Sequence, residues 1–225
     1  MNNMGKLIVF EGTDGSGKST QLMLLTDRLS REGKTFQTLK FPQYDEPSSA
    51  LIRMYLGGEF GTHPDDVNAY TASTFFAVDR FASYQRVWGE HYRAGGLCLS
   101  DRYTTSNAVH QGSKLEGSAR TDYFAWLYDL EFGRMGLPKP DLVIHLDLPI
   151  ELTRSLMRKR ERETDTTADI HEKDLAYLER CRETARQAAQ FYGWKTVHCE
   201  ENGALRSRQD IHEEIYGLVK ACLEE

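Results

Sequence analysis

Three glycines, a lysine and a run of hydroxyls can grip a polyphosphate when they are spaced as in Gly12-Thr13-Asp14-Gly15-Ser16-Gly17-Lys18-Ser19-Thr20. This stretch directly follows the apolar run Leu7-Ile8-Val9-Phe10. The spacing fits G-x-x-x-x-G-K-[ST], with a strand pattern before it and a helical pattern after it. Gly12, Gly15 and Gly17 let the backbone wrap closely enough for successive N–H groups to point at anionic oxygens. A helix beginning near Lys18 aims its positive dipole end at the same place. Lys18 supplies a mobile charge for the β- and γ-phosphates, and the Ser19 hydroxyl is placed to ligate Mg²⁺. The stretch reads as a nucleoside triphosphate site.

A second cluster ends another apolar run, at Leu99-Ser100-Asp101-Arg102-Tyr103. Asp101 can hold magnesium or its water while Arg102 reaches a second anion beside the first. A guanine-reading N-K-x-D is absent from the sequence, and the apolar runs do not end in the Asp-Glu of a motor ATPase. Two adjacent phosphate sites describe phosphoryl transfer between nucleotides.

Elements that could position these groups alternate along the chain. Strand patterns cover Lys6–Glu11, Thr35–Phe41, Gly96–Asp101, Asp141–Asp147 and Lys195–Cys199. Helical patterns cover Lys18–Arg31, Ser48–Leu56, Ala69–Tyr92, Thr121–Arg134, Ile150–Arg162, Ile170–Tyr192 and Arg208–Leu223. Such alternation predicts right-handed βαβ units: a three-layer α/β P-loop fold with about five parallel strands and helices on both faces. Ligands then gather at the carboxyl ends of the strands, after Glu11, Phe41, Asp101 and Asp147. Gly33 and Gly57-Gly58 are expected to close helices, Asp65 or Asp66 to cap the long third one, and 165–169 to be a mobile connection.

The 225 residues suit one domain spanning 1–225, and the first strand pattern starts so near Met1 that no folded N-terminal extension is expected. A charged fraction of 28% with a hydrophobic fraction of 40% is ordinary for a globular protein. The net charge of −6 argues against nucleic-acid or membrane partners, which favour a basic surface. The sequence has neither a span-length apolar run nor a signal-peptide core. Cys98, Cys181, Cys199 and Cys222 form no C-x-x-C pair, which fits the cytoplasm, with Cys98 and Cys199 as small core residues. The seven histidines show no metal spacing; His110 and His145 read as structural.

The pieces Phe10-Glu11-Gly12-x-Asp14-Gly15-x-Gly17-Lys18-x-Thr20, Phe41-Pro42, Phe76-Ala77-x-Asp79-Arg80, Asp101-Arg102-Tyr103-x-x-Ser106 with Gln111, and Leu146-Asp147-x-Pro149 before an Arg-rich segment follow one another along the chain. In these pieces and their order the chain resembles the thymidylate kinase family. The resemblance implies that Phe76 stacks on thymine while Arg80, one helical turn on, contacts a base oxygen. It also implies Gln111 at the base edge, Tyr103 beside the sugar and Asp14 near the 3′-hydroxyl, with Pro42 and Ser106 lining the acceptor site. Phe75 and Phe81 are left as core.

This P-loop carries no arginine, so a lid over about 154–170 is expected to supply the cation for the transferring phosphoryl group. Arg158 is the first choice, then Arg154 and Arg162. Where the family commonly shows Phe-Pro-x-Arg, this chain has Phe41-Pro42-Gln43-Tyr44. Tyr44 offers one neutral hydrogen bond, so Arg53 is expected to hold the acceptor phosphate together with Arg102. The implied reaction is ATP + dTMP → ADP + dTDP with Mg²⁺, in a homodimer, with Lys18, Asp14, Arg102 and Arg158 as the catalytic set. The rivals are a deoxynucleoside kinase using Asp45-Glu46 as a base, and an ATP-binding regulator without turnover.

Overall fold

Leu7, Ile8, Val9 and Phe10 are all fully buried, as in a parallel strand covered on both faces. That strand, β1 (Lys6–Glu11), lies between β3 (Leu97–Asp101) and β4 (Leu142–Asp147). β2 (Phe36–Lys40) flanks β3, and β5 (Lys195–His198) flanks β4, so five parallel strands run in the order β2-β3-β1-β4-β5. This computed structural model describes residues 4–153 and 175–224. Arg154, Arg158, Arg162 and the 165–169 connection therefore lie outside the described residues.

The helices are α1 (Lys18–Arg31), α2 (Ala50–Leu56), α3 (Ala69–Ser83), α4 (Gly89–Arg93), α5 (Thr104–His110), α6 (Gly117–Tyr128), α7 (Leu175–Tyr192) and α8 (Arg208–Glu224). Alternation along β1 decides which layer each covers. Ile8 and Phe10 join Leu25 and Leu29 of α1 and Ile211, Ile215 and Val219 of α8. Leu7 and Val9 face the other way, toward Tyr84, Trp88, Tyr92 and Tyr103. Each apolar side chain of this size contributes about 1.5–3 kcal/mol when fully buried. The sheet is fixed from both sides, and its carboxyl edge with it.

Two local expectations are corrected, and two further elements are present. The helix expected over Ala69–Tyr92 is interrupted by a π-helical stretch at Tyr84–Trp88 before α4 begins. Gly89 allows that break, because a Cβ there would lie 2.3 Å from the Tyr84 carbonyl oxygen. The cap of α3 is Asn68, whose side chain accepts from the Thr71 N–H, whereas Asp66 closes the preceding turn on the His63 N–H. Helix α5 was not expected, since Thr-Thr-Ser-Asn is a poor helical sequence; tertiary bonds from Thr105 and Ser106 to Glu11 override that propensity. A short hairpin at Glu200–Glu201 and Ala204–Leu205 also went unread.

Gly33 does follow α1, whose end is closed by the Lys34 N–H on the Leu29 carbonyl at 2.9 Å. Cys98 and Cys199 are buried, as is His145, which contacts the Thr196 hydroxyl. Among the described residues no helix is long and apolar enough to cross a membrane.

Candidate active site

The phosphate-binding loop joins the end of β1 to α1, and Gly12 is where it leaves the sheet. A Cβ on Gly12 would approach the Ser16 hydroxyl at 2.6 Å and the Leu146 carbonyl at 2.8 Å, so the turn needs glycine there. Lys18 is buried and donates to the carbonyls of Gly12 and Thr13 at 2.7 and 3.0 Å. Its charge is thus held back on the loop that would cradle the polyphosphate. Burial lowers the Lys18 ammonium, and Arg102 lowers it further, against the opposing pull of Asp14, Asp101 and Glu11.

Arg102 is the organising cation. It follows β3 with φ at +68°, an uncommon backbone for a non-glycine residue, and its N–H donates to the Phe10 carbonyl. The guanidinium donates to Asp14, to Ser106 at 3.1 Å and to Glu11 at 3.4 Å, and it contacts His110 Nε2 at 3.2 Å. Burial alone would raise the Asp14 carboxyl. Arg102 and then Lys18 more than offset that, leaving Asp14 far below the usual carboxylate range. A carboxylate lowered on folding stabilises the fold fully above its ordinary titration and loses that contribution progressively as pH falls from there to the lowered value. The stability difference between wild type and Asp14→Asn should therefore be constant from about pH 5 to pH 8 and shrink below about pH 4. Urea unfolding across that range measures it.

Glu11, which follows the apolar run of β1, is the hub of the site. It is fully buried at the end of β1 and accepts from the Gly12 N–H, Thr105 Oγ1, Ser106 Oγ and Arg102. A carboxylate directly after four apolar strand residues was the available signal, since an acid so placed must find donors.

Ser19 Oγ donates to Asp101 Oδ2 at 3.3 Å, while Asp101 Oδ1 is buried with no hydrogen-bond partner among the described residues. An orphaned carboxylate oxygen beside the P-loop hydroxyl fits a hard cation that takes its remaining ligands from phosphates and water. The charge count agrees. Glu11, Asp14 and Asp101 against Lys18 and Arg102 is three acids to two cations among the described residues, a net negative charge where an anion must bind.

On the acceptor side, α3 presents Phe76, half-buried and edge-on to Tyr55 at 6.3 Å. Arg80 is almost wholly buried, with Nε and Nη2 both 2.6 Å from the Glu131 carboxylate and Nη1 near the Tyr103 carbonyl at 3.4 Å. Thr104 also donates to Glu131, at 2.8 Å. Gln111 is buried with both side-chain polar atoms lacking a partner among the described residues. Such an amide costs about 1–3 kcal/mol per unmet group, which a base edge would relieve. The loop carrying Pro42 is held by Asp79, which accepts from the Gln43 N–H and Ser48 Oγ.

Three residues sit otherwise than expected. The Tyr103 ring is fully buried among Phe41, Trp88 and Phe132 and donates to the Pro138 carbonyl, so it belongs to the core rather than beside a sugar. Phe81 is 38% exposed and is not core. Arg53, expected to hold the acceptor phosphate together with Arg102, donates to the Tyr44 and Glu46 carbonyls and to Ser49 Oγ and so braces the loop after β2. Tyr44 is itself exposed.

Asp147, at the end of β4, was read only as motif. It accepts from Arg182 Nε at 2.9 Å and from Arg186 Nε and Nη2 at 3.2 and 2.9 Å, pinning α7 to the sheet edge. Burial opposes its ionised form, but Arg186 and Arg182 together keep its carboxyl lowered. The four-residue spacing of those arginines was the legible half of this contact.

The family model described as Thymidylate kinase matches residues 10–215. The thymidylate kinase of Mycobacterium tuberculosis (strain ATCC 25618 / H37Rv) is 34% identical over 196 residues, covering 85% of this chain and 90% of that protein. That of Schizosaccharomyces pombe is 28% identical, covering 96% of this chain and 92% of its own length. The solved thymidylate kinase of Candida albicans superposes with a TM-score of 0.70 at 19% identity, over 97% of this chain and 92% of that one, a likeness of fold. With the phosphate loop and the Asp101-Arg102 pair at the carboxyl ends of β1 and β3 and Phe76 half-buried on α3, the chain belongs to the thymidylate kinase family.

Proposed function

We propose that this protein transfers the γ-phosphoryl group of ATP to dTMP, giving dTDP for dTTP synthesis. The observation that carries the reading is Arg102, a single guanidinium tied both to Asp14 of the phosphate loop and to Ser106 on α5. A cation so shared suits the space where donor and acceptor phosphates meet.

The acceptor phosphate is ionised at neutral pH and needs no strong base, so the residues act by positioning and charge neutralisation. The loop N–H groups and Lys18 bind the donor phosphates, and Arg102 orients the acceptor. Phe76, Arg80 and Gln111 hold the base, and Arg158, with Arg154 and Arg162, supplies the lid cation. Ser19 and Asp101 would hold Mg²⁺, which would supply the positive charge that the site's own residues lack. One domain spanning 1–225, with its lid at about 154–170, carries all of this. A second copy of the chain is the partner we propose for the exposed apolar residues Val78 and Phe81 on α3 and Leu51 on α2. The reducing cytoplasm suits the buried thiols of Cys98, Cys181 and Cys199.

ADP release across a panel of nucleosides and nucleoside monophosphates tests the reaction, with dTMP as the expected acceptor. Turnover of thymidine but not dTMP would instead make it a nucleoside kinase. That chemistry would need a carboxylate base, yet Glu46 faces Arg86 at 3.7 Å and Asp45 is exposed. Tight ATP binding without acceptor-dependent ADP would make it a regulator. Phe76→Ala should raise the KM for dTMP about 10- to 100-fold, the worth of one base–aromatic stack, with the KM for ATP unchanged. Steady-state kinetics with each substrate varied decides it.

A further inference from the structure

His110 ends α5 with its ring against the Arg102 guanidinium, Nε2 lying 3.2 Å from Nη1. Arginine has only donors, so a hydrogen bond at this distance requires a lone pair on Nε2. The ring proton then sits on Nδ1, and Nδ1 faces Cys181 Sγ at 3.6 Å. The sulfur can accept there, because its own hydrogen is directed at Ser113 Oγ at 3.5 Å. Burial pushes the Cys181 thiol up to about 12, so it stays a thiol.

The ring has little freedom. It is 7% exposed, lies roughly parallel to Tyr177 at 6.2 Å, and its backbone carbonyl accepts from both Tyr177 OH and Ser113 Oγ. Among the described residues its titratable and charged neighbours include Arg102, Asp14 of the phosphate loop, and Cys181 and Tyr177 of α7, while Lys18 and Glu11 flank the same Asp14–Arg102 pair.

We propose that His110 is a positioning residue for Arg102: as the neutral Nδ1–H tautomer it holds the guanidinium toward the nucleotide phosphates, and protonation of its ring releases that hold. A proton on Nε2 removes the acceptor and sets a second cation beside the first, so the guanidinium loses one of its anchors. Histidine is the side chain whose charge changes within the physiological range. The inference rests on Arg102 serving the phosphates, as in the function proposed above, and it makes transfer fail in acid faster than the substrates' own ionisation requires.

The test compares wild type with His110→Gln, which keeps an acceptor near Nε2 but cannot titrate, and His110→Phe, which keeps the flat ring but has no acceptor. The ratio of kcat/KM for dTMP, wild type over His110→Gln, cancels the ionisation of both nucleotides. It should be flat near pH 8 and fall by at least about tenfold in total as the ring titrates, between about pH 8 and pH 5. His110→Phe should show a KM for dTMP at least about tenfold above that of His110→Gln at every pH. A ratio unchanged over the whole interval, or wild-type kinetics in His110→Phe, overturns the proposal. A readout without substrate accompanies it: ¹⁵N shifts of the His110 ring in the nucleotide-free protein should report Nδ1–H near pH 8, and an Nε2–H ring overturns the assignment. Should dTMP not be the acceptor, the reaction assignment fails while this tautomer measurement still tests the histidine.

Discussion

Arg102→Ala is expected to lower kcat/KM for dTMP by about 10²–10³-fold or more, the range found when one preorganised donor to a transferring group is removed. The loss should fall on the acceptor, with ATP binding retained by the loop N–H groups and Lys18. Arg102→Lys should recover only a small part. A lysine can put one ammonium near Asp14, but it cannot also span Ser106, Glu11 and His110 as the guanidinium does. The alanine variant also leaves the buried Glu11 and the half-buried Asp14 without their shared cation, so its thermal unfolding must be recorded beside the kinetics. If Arg102→Ala turns over dTMP within about threefold of wild type, Arg102 is not the cation shared by the donor and acceptor phosphates.

Glu131→Ala carries the largest expected effect on stability. Glu131 is fully buried, Arg80 is 2% exposed, and two bonds of 2.6 Å join them with Thr104 as a third donor. Removing one member leaves a buried guanidinium uncompensated, which costs about 3–5 kcal/mol. For a chain of this size that is a fall in Tm of roughly 10 °C. Replacing both partners, as in Arg80→Met with Glu131→Leu, should regain most of the loss, because two apolar groups need no pairing. The double variant should nevertheless bind dTMP poorly, since the donor fork near the base is gone. Calorimetry and acceptor KM on the same three proteins separate the two effects. An unchanged Tm in Glu131→Ala would mean that Arg80 has another buried anion.

What the sequence made legible was whatever local order encodes. The phosphate loop and the five strands rest on neighbouring residues and on short apolar runs, so β1 and α1 were read with the ends the structure gives them. Phe76 and Arg80 share a face because helices repeat. The illegible parts depend on distant residues. Glu131 lies 51 positions from Arg80, and the donors to Glu11 from α5 lie more than 90 positions away. No local pattern announces such pairs. Tyr103 was misplaced for the same reason: its neighbours Phe41, Trp88 and Phe132 come from other segments, and a tyrosine after Asp-Arg reads equally well as wall or as core. The π-helical stretch near Tyr84 was hidden because a glycine inside a helical pattern does not say whether the helix bends or ends there.

One carboxylate underlies both halves of the chemistry. Glu11 anchors the first amide of the donor cradle and, through Arg102 and α5, the acceptor clamp as well. The spacing between attacking and departing oxygens is thereby referenced to a single fixed point on the central strand, not to two walls that could drift apart.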